Sequence, residues 1–201
     1  MIVLPKGASL NGALSYLFYS VKNYYDEYFE IESSEILWGN PRNLINYDVN
    51  GSSQSENCAT TNISNSYYTI HLKSQVLAIT HYTLKSRTSG GVSFPMSFLI
   101  EASNDNVTYQ TLHSIDSTTD LCGLGLMKTY RTKRIGAFQY FRIRQTGLTY
   151  SSANNLVLHK IELFGNLCPV GKECKFPQRC SYNRIRHSST FTPLLYIIFV
   201  K

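Results

Sequence analysis

Five histidines and five cysteines are the side chains in this sequence best suited to chemistry, and their placement argues against most of it. His71, His81, His113, His159 and His187 are scattered, mostly in stretches that read as strands, where a histidine is ordinarily a half-buried pairing residue. Nucleophilic catalysis needs a base held beside a Ser or Cys, and no nucleophile elbow or Cys/His family signature is present. Cys168, Cys174 and Cys180 have five residues between each neighbouring pair, with His187 beyond them. Zinc sites favour closer pairs, because two thiolates on one tight turn can share a tetrahedral ion. Gly123 and Gly125 lack the third glycine of a phosphate cradle and follow no clear strand. The chain is therefore expected to be no enzyme, and to need neither a cofactor nor a metal.

The elements that would carry any site read as strands. From Phe138 to Gly165 the sequence gives Phe141 and Ile143 alternating with Tyr140, Arg142 and Arg144, then a polar loop, then an apolar run from Leu156 stopped by Gly165. Alternation puts apolar groups on one face of a pleated strand and long amphipathic ones on the other. Strands are expected at Tyr68–Leu72, Val76–Lys85, Met96–Ala102, Thr108–Ile115, Arg134–Gln145 and Leu156–Phe164. Phe98, Ile100, Phe141, Ile143, Ile161 and Leu163 should face inward. Before them, Leu10, Ala13, Leu14, Leu17, Phe18 and Val21 recur at helical spacing, so a short amphipathic helix is expected within residues 1–35. The acidic cluster Asp26, Glu27, Glu30, Glu32 and Glu35 follows, and the polar, turn-rich stretch 36–66 reads as loop.

Charge and cysteine usage narrow the partners. The chain carries a formal +6, but from Asn166 onward six basic residues face Glu173 alone, so the body is close to neutral. A basic tail of this kind argues for a solvated end, or a dock onto the acidic cluster, over a nucleic-acid partner. The apolar run Leu194 to Val200 is too short to cross a bilayer, which needs about twenty residues. Met1 to Lys6 has no basic leader or long apolar core of a secretory signal, and five cysteines leave one unpaired. A cytoplasmic, reducing location is the expectation, with no disulfide framework.

Tyr140-Phe-Arg-Ile-Arg-Gln-Thr-Gly147 followed by Lys160-Ile-Glu-Leu-Phe-Gly165 resembles the close of a discoidin domain, also called the coagulation factor V/VIII type C domain. Ile100 to Asn106 with Tyr109 resembles that family's Ser-Asn-Asp turn and following aromatic, and Tyr67 to Leu72 its aromatic-led strand. The resemblance covers about Asn11 to Gly165. It implies an all-β, galactose-binding-like jelly-roll β-sandwich, assigned to 36–165, with a helical lead-in at 1–35 and a Cys-containing, poorly ordered basic tail at 166–201. The implied function is a non-catalytic binding module recognising a glycan, a phospholipid head group or a protein through loops at one end. An intracellular adaptor unit is the alternative. Loop order places Arg42 and Arg87 as forked donors to a ligand, with Trp38 or Phe94 to stack on a sugar or enter lipid; for Trp38 a core position in the sandwich is the favoured reading. A structural calcium in the wider fold uses an acid where this chain has Lys160, and a cation there repels Ca²⁺.

Overall fold

A computed structural model describes residues 9–20, 25–48 and 56–177. Among these residues eleven strands run in chain order: β1 Phe29–Ser33, β2 Ile36–Trp38, β3 Cys58–Thr60, β4 Tyr67–Leu72, β5 Gln75–Lys85, β6 Phe98–Ser103, β7 Gln110–Ile115, β8 Met127–Arg131, β9 Tyr140–Gln145, β10 Val157–Leu158 and β11 Lys160–Pro169. They form a five-stranded sheet, β1-β4-β9-β6-β7, and two three-stranded sheets, β11-β5-β8 and β10-β3-β2. Every pairing between named strands is antiparallel. The result is an all-β jelly-roll sandwich with a short N-terminal helix.

The alternation in β9 does what its sequence dictates. Phe141 and Ile143 are buried while Tyr140, Arg142 and Arg144 are half-exposed on the outer face. There Arg142 lies over the rings of Tyr67 and Tyr109, at 4.6 and 3.7 Å from their centroids, and Arg144 forms a forked ion pair with Glu101. Each long cation thus has an aromatic face or a carboxylate to lie on. All six residues expected inward are buried. The long strand β11 is buried from Lys160 to Gly165 because it pairs with β5 along its whole length, with a bulge between Phe164 and Gly165.

Helix α1, Ala13–Ser20, packs Ala13, Leu14 and Leu17 against the sandwich. Its start is held by a buried side chain from β11: the Glu162 carboxylate accepts from the backbone N–H of Leu14 (2.9 Å) and Ser15 (3.2 Å). Those N–H groups have no partner within the helix, and a carboxylate both satisfies them and complements the positive end of the helix.

Several boundaries differ from the sequence reading. The lead-in 1–35 contains β1, which joins the main sheet through β4, and the presumed loop 36–66 contains β2, β3 and a 3-10 turn at Pro41–Ile45. Strand β8 was hidden because it is an edge strand whose side chains are mostly exposed, so it lacks alternation. Strand β11 runs to Pro169, past the expected strand end at Phe164, and Cys168 is bonded to Cys174. The expectation of no disulfide is thereby corrected: the two sulfurs meet where the chain turns back after β11. Cys180, the basic end and the apolar run at 194–200 lie outside the described residues. Four of the five acidic-cluster residues are engaged within the domain, Asp26 with Arg42, Glu30 with His71 and Lys73, Glu32 with Asn106 and Glu35 with Thr61.

Candidate ligand-binding end

At one end of the sandwich the segment after β5 becomes the hub of four others. The Ser86 N–H donates to the Leu126 carbonyl and its hydroxyl accepts from the Leu126 N–H, both at 2.9 Å, that hydroxyl donates to the Gly123 carbonyl, and the Gly125 N–H donates to the Arg87 carbonyl at 2.8 Å. These bonds fasten 86–87 to the turn before β8. On the other side stands Asn57, fully buried, whose Oδ1 accepts from the Thr88 N–H (2.9 Å) and hydroxyl (3.1 Å) while its Nδ2 donates to Ser89. A buried amide with its oxygen doubly satisfied fixes the path of a loop that has no ladder of its own.

Gly39 brings the third piece in. Its φ of +82° suits glycine, and a Cβ there would lie 2.1 Å from the Asn57 carbonyl oxygen. This close approach sets the Trp38 ring against Arg87, whose guanidinium carbon is 5.3 Å from the ring centroid. The fourth piece is the β9–β10 connection. The Tyr150 N–H donates to the Phe94 carbonyl at 3.0 Å, and Ser93 and Ser151 share a hydroxyl bond at 2.8 Å. Leu37, Val92, Leu148 and Tyr150 are left as exposed apolar surface in these segments.

The four residues singled out from the sequence fare differently. Arg87 and Trp38 are brought together. Arg87 is only 5% exposed, which corrects the picture of a freely reaching loop arginine. Its Nε donates to the Ser89 carbonyl at 3.0 Å, and Gly91 presses so close that a Cβ there would lie 2.8 Å from Nη1. Neither Nη has a protein acceptor among the described residues, and neither is sealed from solvent. Burial pulls the Arg87 pKa down from its ordinary value with no carboxylate to offset it. Phe94 is likewise 5% exposed, so it is no stacking platform: it packs behind Tyr150, with ring centroids 6.4 Å apart. Arg42 is exposed and paired with Asp26. Trp38 is half-buried at the surface, between the core and ligand roles read for it. Tyr150, 60% exposed, was missed, although an aromatic within the polar run Thr149-Tyr150-Ser151-Ser152 was a signal that could have found it.

Lys160 closes the base of this end. It is 2% exposed, and its Nζ donates to the carbonyls of Asn43 (2.9 Å), in the 3-10 turn, and of His159 (3.2 Å). Burial, with Lys85 adding repulsion, lowers its pKa to about 8. An ammonium thus tethers the 3-10 turn to β11, at the position where the family resemblance gives an acid. No group of three or more His, Cys, Asp or Glu with metal-binding geometry occurs among the described residues.

No family model matches this chain, and no curated protein does. Solved structures do. A CBM32 domain from Clostridium perfringens, in complex with GalNAc-β-1,3-galactose, matches with a TM-score of 0.52 at 10% identity, covering 68% of this chain and 94% of that one. The CBM32 of AlyQ, in complex with 4,5-unsaturated mannuronic acid, gives 0.52 at 16% identity over 80% and 98%. A fucolectin from striped bass, Morone saxatilis, gives 0.55 at 18% identity over 72% and 49%. At these identities the likeness is one of fold: the chain has the discoidin-like, galactose-binding-like β-sandwich that carbohydrate-binding modules and lectin domains share.

Proposed function

We propose that this chain is a non-catalytic glycan-binding module whose ligand docks at the loop end around Arg87, Trp38 and Tyr150. The observation that carries the reading is Arg87. As a residue it is 5% exposed, yet only its Nε–H has a protein acceptor among the described residues and no carboxylate neutralises it. Burying a cation in this way is costly unless a partner completes it, and such residues concentrate at functional sites. A sugar supplies that partner through vicinal oxygens matched to the guanidinium fork, while the exposed Tyr150 ring offers a face for its C–H surface. The solved neighbours support a glycan over a protein ligand, since several of them hold sugars. They do not select one, because those sugars range from galactose to a uronic acid.

The Cys168–Cys174 bridge supports an oxidising compartment for this module, in place of the reducing one first expected. No helix among the described residues is long and apolar enough to cross a membrane. Thiol alkylation of protein taken from its native source should find Cys168 and Cys174 protected until a reductant is added; immediate labelling of both would count against that location.

A glycan array followed by calorimetry on the best ligand tests the function. Replacing the exposed Tyr150 by Ala should weaken binding about tenfold, the loss of about 1.4 kcal/mol of stacking and burial. Because Tyr150 is 60% exposed, the melting temperature should stay put. Absence of any glycan ligand, or full affinity in Tyr150→Ala, would refute the reading.

A further inference from the structure

We infer that the Arg87 subsite is built for an anionic sugar, one carrying a carboxylate or a sulfate ester, and not for a neutral one; this rests on the loop end being the glycan site. A neutral hydroxyl accepts a hydrogen bond from a guanidinium but leaves its charge uncompensated. At a largely buried position that charge is usually balanced by a protein carboxylate. Here none does so. All thirteen acidic residues of the chain fall among the described residues, and none forms an ion pair with Arg87. Six are committed elsewhere: Asp26 to Arg42, Glu30 to Lys73, Glu101 to Arg144, Asp120 to Lys128, Glu173 to Lys175 and Glu162 to the start of α1. The missing counter-charge is therefore left for the ligand.

The surroundings act in the same direction. Lys85, the last residue of β5, stands two positions before Arg87, and the buried Lys160 pairs with Lys85 across the β5–β11 ladder. Lys85 and Lys160 are close enough to each other and to His159 for their charges to be felt there. Glu56 is the one carboxylate that acts on this group. The base of the loop end thus carries more positive than negative charge, and Arg87 is the member of the set whose terminal nitrogens reach solvent without a protein acceptor. A carboxylate or sulfate laid on Nη1 and Nη2 accepts two parallel charge-assisted bonds, the geometry in which a guanidinium binds most strongly. The Trp38 face below the guanidinium keeps its plane fixed for that contact. Gly91 matters for the same reason, since a side chain there would fall on Nη1.

The test uses the unmodified protein first. Its affinities are measured against matched pairs: galactose and galacturonic acid, glucose and glucuronic acid, and galactose and galactose 6-sulfate, by chemical-shift titration at low and high salt. The expected result is that at least one acidic member binds about tenfold or more tightly than its neutral parent, the range of a hydrogen bond to a charged group. That preference should shrink several-fold in 0.5 M salt, because part of it is screened charge attraction. The uronate and sulfate arms identify which oxyanion is preferred. Arg87→Lys, which keeps the charge and loses the fork, should abolish most of the preference; Arg87→Ala is read only if its melting curve remains cooperative. Neutral members binding as tightly as acidic ones would overturn the inference while leaving a glycan-binding module in place. No binding by either member of any pair, with none on the array, would overturn both.

Discussion

Phe141→Ala is expected to destabilise the domain by roughly 3–5 kcal/mol, a large share of the about 5–15 kcal/mol that an ordinary domain has. Phe141 is 2% exposed and sits in β9, the middle strand of the five-stranded sheet, opposite Ile70 of β4 on one side and Ala102 of β6 on the other. Its position between two ladders is what makes the loss large. Neither flanking strand can move in to fill the void without breaking its register, so both the transfer free energy and the cavity contribute. Ala102 opposite is small, so the ring of Phe141 also fills space that its neighbour leaves. Chemical denaturation should show a lower midpoint with an unchanged slope; a loss under about 1 kcal/mol would mean that the core repacks around this site.

The same strand shows why the core was legible in the sequence and the site was not. Phe141 and Ile143 announce their face by a two-residue period, which is a local property and survives any tertiary arrangement. The edge strand β8 has no such period, because most of its side chains face water. At the loop end the deciding contacts are between segments far apart in the chain: Asn57 with Thr88, Arg87 with Gly125, and Tyr150 with Phe94. Family resemblance supplied Arg87 and Trp38 from strand order, but not that the Trp38 ring would lie under the guanidinium. It also made Phe94 a contact residue, when the backbone bond from Tyr150 turns Phe94 into the support and Tyr150 into the exposed ring. Cys168 and Cys174 were equally opaque: an odd number of cysteines argues against a framework, yet one pair needs only that β11 run on to Pro169 before the chain turns.

His159 gives the domain an acid limit that should be measurable. The side chain is 1% exposed, its Nδ1 has no partner among the described residues, and Lys160 and Lys85 stand close by. Burial first, and those two cations next, lower its pKa from 6.5 to about 4. The unfolded chain binds a proton on His159 below about pH 6.5 while the folded chain refuses it until about pH 4. In that interval the unfolded state holds more protons, so stability falls as pH falls, by roughly 3 kcal/mol in all, and levels off below. Three other groups complicate the raw profile. Glu162 has its pKa raised by burial and acts with the opposite sign, whereas His81 and His113, lowered chiefly by burial, act with the same sign. Their contributions cancel in the difference between the native chain and His159→Leu, which cannot titrate. Denaturation midpoints between pH 4 and 7 should therefore show a gap between the two proteins that closes in favour of the variant as pH drops. Parallel profiles across that range would mean that His159 is protonated as readily folded as unfolded, and that the pocket at the start of β11 admits water.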